Sequence, residues 1–165
     1  GMGAERFSLF LKAEIKRLFS KNDLFIWGDP AGDWKGNSDE RSYFDILKAN
    51  GINVKSSPGL RIPDRLETVK HVLSRSVGGK PALQVSPCCR MLVKGFNGGY
   101  RFRRRSTAAD EGEYDDKPDK RNRYADIHDA LQYMLCGAGE MRMMLGKSKK
   151  TTTRTVVANS GFSVI

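Results

Sequence analysis

The sequence predicts an α/β fold, in which helices flank a sheet, and three observations lead to this class. Residues 5–20 carry apolar side chains every three or four positions, as in an amphipathic helix. Residues 24–27 are an apolar run too short for a buried helix, and Gly28 and Asp29 follow where this strand ends. A second helix pattern and an alternating run at 52–55 complete a strand, helix, strand unit, so the two strands are expected to be parallel.

The rest of the chain is predicted to alternate helices and short strands. The predicted helices span 39–49, 63–75, a short stretch through 91–92, and 123–144. Ser38 is the predicted N-cap of the first of these helices. The predicted strands span 82–85 and 100–105. Residues 107–120 are rich in acids and lack an apolar period, which predicts a mobile surface loop. One domain is therefore expected over residues 5–145, followed by a basic, Thr-rich flexible tail at 146–165.

Composition and charge narrow the kinds of partner. The 165 residues, 39% of them hydrophobic, are enough for the core of one domain. The chain has 29 Lys and Arg against 19 Asp and Glu, and this net charge of +10 favours a polyanion as the partner. The alternative is a basic domain that binds no nucleic acid.

No apolar run approaches the roughly 18 residues of a membrane span. A possible phosphate-binding loop at 141–148 has Met141 in place of its first glycine. Neither a membrane nor a nucleotide is expected as a partner, and a cytoplasmic location is predicted.

Three acidic residues are candidate site residues. Asp29 is expected at the carboxyl end of a strand, which is where open α/β sheets bind ligands. Asp126 and Asp129 are three residues apart on the last helix, so their carboxylates lie on the same side, one turn apart. Carboxylates this close repel each other unless cations, protons or solvent offset the repulsion, and a bound divalent metal would do so. The same helix is expected to bury an apolar stripe formed by Ile127, Ala130, Leu131, Met134, Leu135 and Ala138.

Five basic residues are candidates for binding a phosphate backbone. Arg101, Arg103 and Arg105 alternate along the predicted strand, so their side chains share one face at a spacing of about 7 Å. An edge strand that uses charge to prevent aggregation is the alternative. Lys120 and Arg121 add positive charge just before the last helix.

Six short motifs stand in a fixed order along residues 5–140. They are Gly28-Asp29-Pro30-Ala31-Gly32, Ile46-Leu47-Lys48-Ala49-Asn50-Gly51, Arg65-Leu66-Glu67, Gly95-Phe96-Asn97-Gly98-Gly99-Tyr100-Arg101, Lys117-Pro118-Asp119-Lys120 and Ile127-His128-Asp129-Ala130-Leu131-Gln132-Tyr133. Each motif alone is weak, but together they resemble the nuclease domain of tailed-phage terminase large subunits. The resemblance implies a ribonuclease H-like mixed sheet and a metal-dependent endonuclease that cuts double-stranded DNA during packaging.

The resemblance also implies roles for the candidate residues. Asp29, Asp126 and Asp129 would be catalytic and hold two Mg²⁺ or Mn²⁺ ions, with Asp126 at a position that is His in many relatives. The five basic residues would contact DNA without reading its sequence. The terminase small subunit and the portal protein would be partners of the full-length protein, in the cytoplasm of the bacterial host during phage assembly.

Two other functions stay open at this point. The chain could be a non-catalytic module that binds DNA or a protein partner, or a different ribonuclease H-like nuclease such as a resolvase or transposase core. The first strand of such a fold normally brings another Asp, and no acid on a predicted strand precedes Asp29. The chain is therefore expected to be the C-terminal portion of a nuclease domain, without its N-terminal strands.

Overall fold

The computed structural model describes residues 2–35, 41–59, 61–104 and 113–146. Ser38, Arg105 and residues 147–165 lie outside these ranges. The predicted α/β class is confirmed, since helices and short strands alternate along the chain. The helices are α1 (Ala4–Phe19), α2 (Tyr43–Ala49), α3 (Ile62–Leu73), α4 (Arg90–Lys94), α5 (Ala125–Gly137) and α6 (Glu140–Met144). The strands are β1 (Ile26–Gly28), β2 (Val54–Ser56), β3 (Ser76–Val77), β4 (Lys80–Pro81), β5 (Phe102–Arg104) and β6 (Tyr114–Pro118).

The first two strands form a parallel pair, as the sequence predicts. Ile26 pairs with Val54 and Gly28 pairs with Ser56. The core beside this pair consists of Phe44, Leu47, Ile52 and Val54, with Leu11, Ile15 and Ile26 packed against it. Helices α1 and α2 thereby fix the position of β1, whose last residue directly precedes Asp29.

A second core lies between α3 and α5. Val69 and Val72 of α3 pack against Leu131 and Leu135 of α5. The C-terminal end of α5 also lies on β1, so closely that a Cβ atom at Gly137 would overlap the Trp27 ring. Helix α5 therefore connects the parallel strands with α3.

The described residues form three separate two-stranded sheets and no larger mixed sheet. Strands β5 and β6 are antiparallel, with Phe102 opposite Pro118 and Arg104 opposite Tyr114. The predicted strand at 100–105 is thus confirmed over 102–104. Strand β6 lies within the segment predicted to be a surface loop. That part of the loop prediction is wrong, because backbone pairing with β5 makes 114–118 a strand without an apolar pattern.

Two helices begin or end at other residues than the sequence predicts. Helix α2 begins at Tyr43 because Ser42 is extended and caps the helix. The Ser42 Oγ accepts a hydrogen bond from the Asp45 N–H at 3.1 Å, and Asp45 Oδ2 accepts one from the Ser42 N–H at 2.9 Å. The predicted helix at 123–144 is interrupted by Gly139, whose φ of 101° ends one helix before α6 begins.

Two further predictions are corrected. Residues 82–85 are not a strand; the strands of this region are β3 and β4, joined by Gly78 and Gly79, whose positive φ angles make the tight turn. The predicted apolar stripe of α5 is also corrected, because Ile127 and Ala130 are exposed, whereas His128 and Gln132 are buried.

In the part of the chain described, no helix is both long and apolar enough to cross a bilayer.

Replacing Gly137 by Ala is expected to destabilise the protein by about 1–3 kcal/mol, because the added methyl group would force the Trp27 ring away from α5. Urea unfolding monitored by circular dichroism measures the change. Gly3→Ala is the matched control, since nothing lies within 4 Å of a Cβ atom at Gly3. Equal unfolding midpoints for the two variants would contradict the close packing of α5 on β1.

Candidate functional site

Asp29 lies immediately after β1, at the position that the sequence predicts. It caps a short 3₁₀ turn at Pro30–Asp33, where its Oδ1 accepts a hydrogen bond from the Ala31 N–H at 3.0 Å. The glycine on each side is tightly packed, because a Cβ atom would lie 2.9 Å from Phe44 at Gly28 and 2.5 Å from it at Gly32. The Gly-Asp-Pro-Ala-Gly motif therefore holds the backbone against α2, while the Asp29 side chain is exposed to solvent.

Asp129 lies on α5 between two cations. The Arg65 Nη2 atom is 3.7 Å from its Oδ1, too far for a hydrogen bond, and the Lys120 Nζ atom contacts its Oδ2. The Asp129 side chain is only 16% exposed, and its Oδ1 is buried and accepts no hydrogen bond. One oxygen of this carboxylate is thus paired with a surface lysine, and the other faces a buried guanidinium group.

Arg65 is the most deeply buried cation of this region, with 3% of its surface exposed. Its Nε donates to Gln132 Oε1 at 3.1 Å, and its guanidinium carbon lies 4.5 Å from the centre of the Tyr133 ring. Gln132 in turn donates to the Tyr100 hydroxyl at 3.0 Å. A connected set of polar contacts therefore links α3, α5 and the turn at Gly95–Gly99 around Asp129.

Tyr133 connects the two acids. Burial, and then a hydrogen bond to Asp29, raises the pKa of Tyr133 to about 12; Arg65 acts in the opposite direction, and Asp129 also raises it. The phenol therefore keeps its proton at neutral pH, beside the Asp29 carboxylate. Two acids 100 positions apart in the sequence thus influence one side chain.

The other predicted site residues lie outside this cluster. Asp126 is exposed on α5, and its side chain forms no ion pair or hydrogen bond within the described residues. Arg103 is paired with Asp115 at 3.0 Å, while Arg101 and Arg121 are exposed. Arg105 lies outside the described residues. The structure pairs Lys120 with Asp129 and places Asp29 and Asp129 near Tyr133, and it leaves the roles of Asp126 and of the arginines as predictions.

The donor set at the cluster suits a hard divalent cation only in part. Asp29 and Asp129 offer carboxylate oxygens, which Mg²⁺ and Mn²⁺ prefer, and the buried Oδ1 of Asp129 is an acceptor without a donor. No three His, Cys, Asp or Glu side chains gather closely enough to hold an ion within residues 2–35, 41–59, 61–104 and 113–146. The described residues therefore do not assemble the three predicted acids into one metal site, and two cations lie against Asp129.

His128, next to Asp129, is buried in an aromatic contact. Its ring stacks on Tyr100 at 4.6 Å and meets Phe96 edge-on at 4.8 Å, and its Nε2–H donates to the Leu92 carbonyl at 3.2 Å. A Cβ atom at Gly95 would overlap the imidazole ring. The motif at 95–101 therefore packs against α5 and supports the helix that carries Asp129.

Sequence reasoning gave Arg65, Gln132 and Tyr133 no individual role, although a signal was present. Arg65 shares its helix face with Val69 and Val72, because these residues are four and seven positions further on. A charged residue on the apolar face of a helix indicates a buried pair.

No protein-family model, curated protein or solved structure matches the chain.

The pH dependence of stability is expected to reflect His128. Burial lowers the pKa of His128, and the Leu92 carbonyl and Asp129 oppose this shift. The unfolded chain therefore takes up this proton at a higher pH than the folded protein does, and stability falls as the pH drops below about 6.5. Thermal unfolding of wild type and His128→Asn between pH 7.5 and pH 5 measures the effect.

His71→Asn, which changes the other histidine, is the control and is expected to keep the wild-type pH dependence. The same loss of stability at pH 5 in His128→Asn as in wild type would contradict the role of His128.

Proposed function

We propose that this chain is the nuclease portion of a phage DNA-packaging terminase, with a ribonuclease H-like architecture, which cuts double-stranded DNA with Mg²⁺ or Mn²⁺ held by Asp29 and Asp129. The observation that carries the proposal is that Asp29 and Asp129 both act on Tyr133, whose ring lies against Arg65. The parallel pair β1 and β2, with α5 packed against it, supports the same architecture. The small subunit and the portal protein would be partners in the full-length protein.

The protein's own residues have separable roles in this proposal. Tyr133 lies beside Asp29 and helps to orient that carboxylate. Arg65, held by Gln132, fixes Asp129 from the protein interior. A divalent ion bound there lowers the pKa of a water molecule and stabilises the charge on a phosphate.

The basic residues around the cluster suit a DNA backbone. Lys120 is half exposed beside Asp129, and the exposed Arg121 follows it in the chain. Arg101 lies close to this segment, since its carbonyl accepts from the Asp119 N–H at 3.0 Å. Contacts of this kind position DNA and carry no sequence information, which agrees with non-specific cutting.

A second candidate function is a DNA-binding module without catalysis. The pairing of Asp129 with both Arg65 and Lys120 favours it, because a carboxylate balanced by two cations also has a structural role. The two candidates share the basic surface and differ in metal binding and cleavage.

Asp29→Asn and Asp129→Asn are each expected to weaken Mn²⁺ binding by on the order of tenfold or more, since the loss of even an indirect contact to a metal ligand costs this much. Titration of Mn²⁺ followed by electron paramagnetic resonance measures the affinity. Asp23→Asn is the matched control: it changes an exposed acid in the turn before β1, and a change within about twofold is expected. Asp126→Asn tests the third predicted ligand in the same titration.

Nicking of supercoiled plasmid in MnCl₂, with EDTA as the blank, tests the reaction itself. Cleavage by wild type and Asp23→Asn, lost in Asp29→Asn and Asp129→Asn, supports the nuclease. Mn²⁺ binding that is the same in Asp29→Asn and wild type would overturn the metal site. Salt-sensitive DNA binding without cleavage, unaffected by EDTA, would favour the non-catalytic module. Preferential cutting of branched over linear DNA would indicate a resolvase.

Arg121→Ser is expected to make the fall of log affinity with log salt concentration shallower, by about 0.9 in slope, because one phosphate contact is lost. Arg103→Ser is expected to change the slope less, since Asp115 already neutralises Arg103. Fluorescence anisotropy with a short duplex measures both, and Arg6→Ser on α1 is the control. Equal slopes in all three variants would contradict a role for the basic surface near α5.

A further inference from the structure

Two aromatic side chains of the β5–β6 pair are exposed to solvent. Phe102 on β5 is 38% exposed, and Tyr114 on β6 is 61% exposed. Together with Arg101 they line an open cavity of about 520 Å³. An aromatic ring stabilises a fold mainly when it is buried, so exposed rings around a shared cavity indicate a surface that binds a partner.

The two rings lie on the same face of the strand pair. Arg104 lies opposite Tyr114, and residues that lie opposite each other in an antiparallel pair share a face. Phe102 is two positions before Arg104, so its side chain lies on that face as well. Phe102, Arg104 and Tyr114 are called the aromatic face below.

An ion pair lies on the opposite face of the strands. Arg103 Nε is 3.0 Å from Asp115 Oδ2, so this carboxylate neutralises Arg103 away from the aromatic face. Arg101 and Arg104 are exposed, and no ion pair joins either side chain to another residue of the described ranges. Two guanidinium groups beside the rings can therefore bind phosphate oxygens.

The backbone under the aromatic face is fixed at one end. The Asp119 N–H donates to the Arg101 carbonyl at 3.0 Å, and Pro118, which lies opposite Phe102, is buried. The strand that carries Phe102 and Arg101 is thus already ordered, and a ligand that binds there has to order little of its backbone.

We propose that the aromatic face and Arg101 bind single-stranded nucleic acid. Unpaired bases stack on Phe102 and Tyr114, and the phosphates beside them pair with Arg101 and Arg104. An intact duplex offers phosphates, but its bases are already stacked on one another, so only unpaired bases can cover these rings. No metal ion takes part, and the inference goes beyond the proposed nuclease without resting on it.

Fluorescence anisotropy with oligo(dT), measured in EDTA, tests the aromatic contacts. Phe102→Leu and Tyr114→Leu keep an apolar side chain but lose the ring, and each is expected to bind about tenfold more weakly than wild type. Tyr114→Phe keeps the ring and is expected to bind as wild type does. Phe10→Leu is the matched control and is expected to change nothing, because Phe10 is a 55% exposed aromatic residue on α1.

The matching duplex and an oligo(U) strand are the comparison ligands. The two ring-deleting variants are expected to bind the duplex as wild type does, because paired bases do not reach the rings. They are expected to lose affinity for oligo(U) as they do for oligo(dT), since stacking and phosphate contacts do not involve the 2′-hydroxyl group. Arg104→Ser is expected to make the fall of log affinity for oligo(dT) with log salt concentration shallower, by about 0.7 in slope.

Oligo(dT) binding that is equal in wild type and both ring-deleting variants would overturn the inference, and so would an equal loss of duplex binding in those variants. Because binding is measured in EDTA, these results are independent of Mn²⁺ affinity and plasmid cleavage, which test the proposed function. The melting temperature checks that each variant is folded.

Discussion

A buried positive charge must be paired, and Arg65 carries such a charge in this protein. Its guanidinium group lies in the interior between α3 and α5, where an unpaired charge would be very unfavourable. Gln132, Tyr133 and Asp129 all lie against it, so one turn of α5 is committed to satisfying this single cation. The position of Asp129 is a consequence of the pairing, and the rest of the site is arranged around that position.

Close backbone packing fixes the distance between the elements that carry the two acids. Gly28 and Gly32 bring the segment with Asp29 against Phe44, and Gly137 lets α5 approach Trp27. A Cβ atom at Gly95 would overlap the His128 ring, so the glycine leaves room for His128 next to Asp129. At each position a side chain would occupy volume already filled by a ring, so these glycines serve packing. Several of them stand in the motifs on which the family resemblance depends.

Local patterns predicted much of the fold and part of the site. The apolar run before Asp29 and the alternating run at 52–55 were sufficient to predict two parallel strands and a carboxylate at the end of one. The buried face of α5 was not predictable by hydrophobicity, because His128 and Gln132 are polar and become compatible with burial only through Leu92, Arg65 and Tyr100. Strand β6 depends on pairing with a distant segment, and the break at Gly139 depends on backbone conformation, so neither appears in an apolar period.

The charges within the cluster bear on how a polyanion approaches it. Arg65 and Lys120 both lie against Asp129, and Tyr133 stays neutral, so the formal charges of the two acids and the two cations sum to zero. Two uncompensated carboxylates would instead repel a phosphate backbone at the point where it has to come closest. With that repulsion reduced, the excess of 29 basic over 19 acidic residues would steer a polyanion such as the proposed DNA over a distance set by ionic strength. Under the proposed function, these internal ion pairs would favour rapid association with nucleic acid, even where they add little to the stability of the fold.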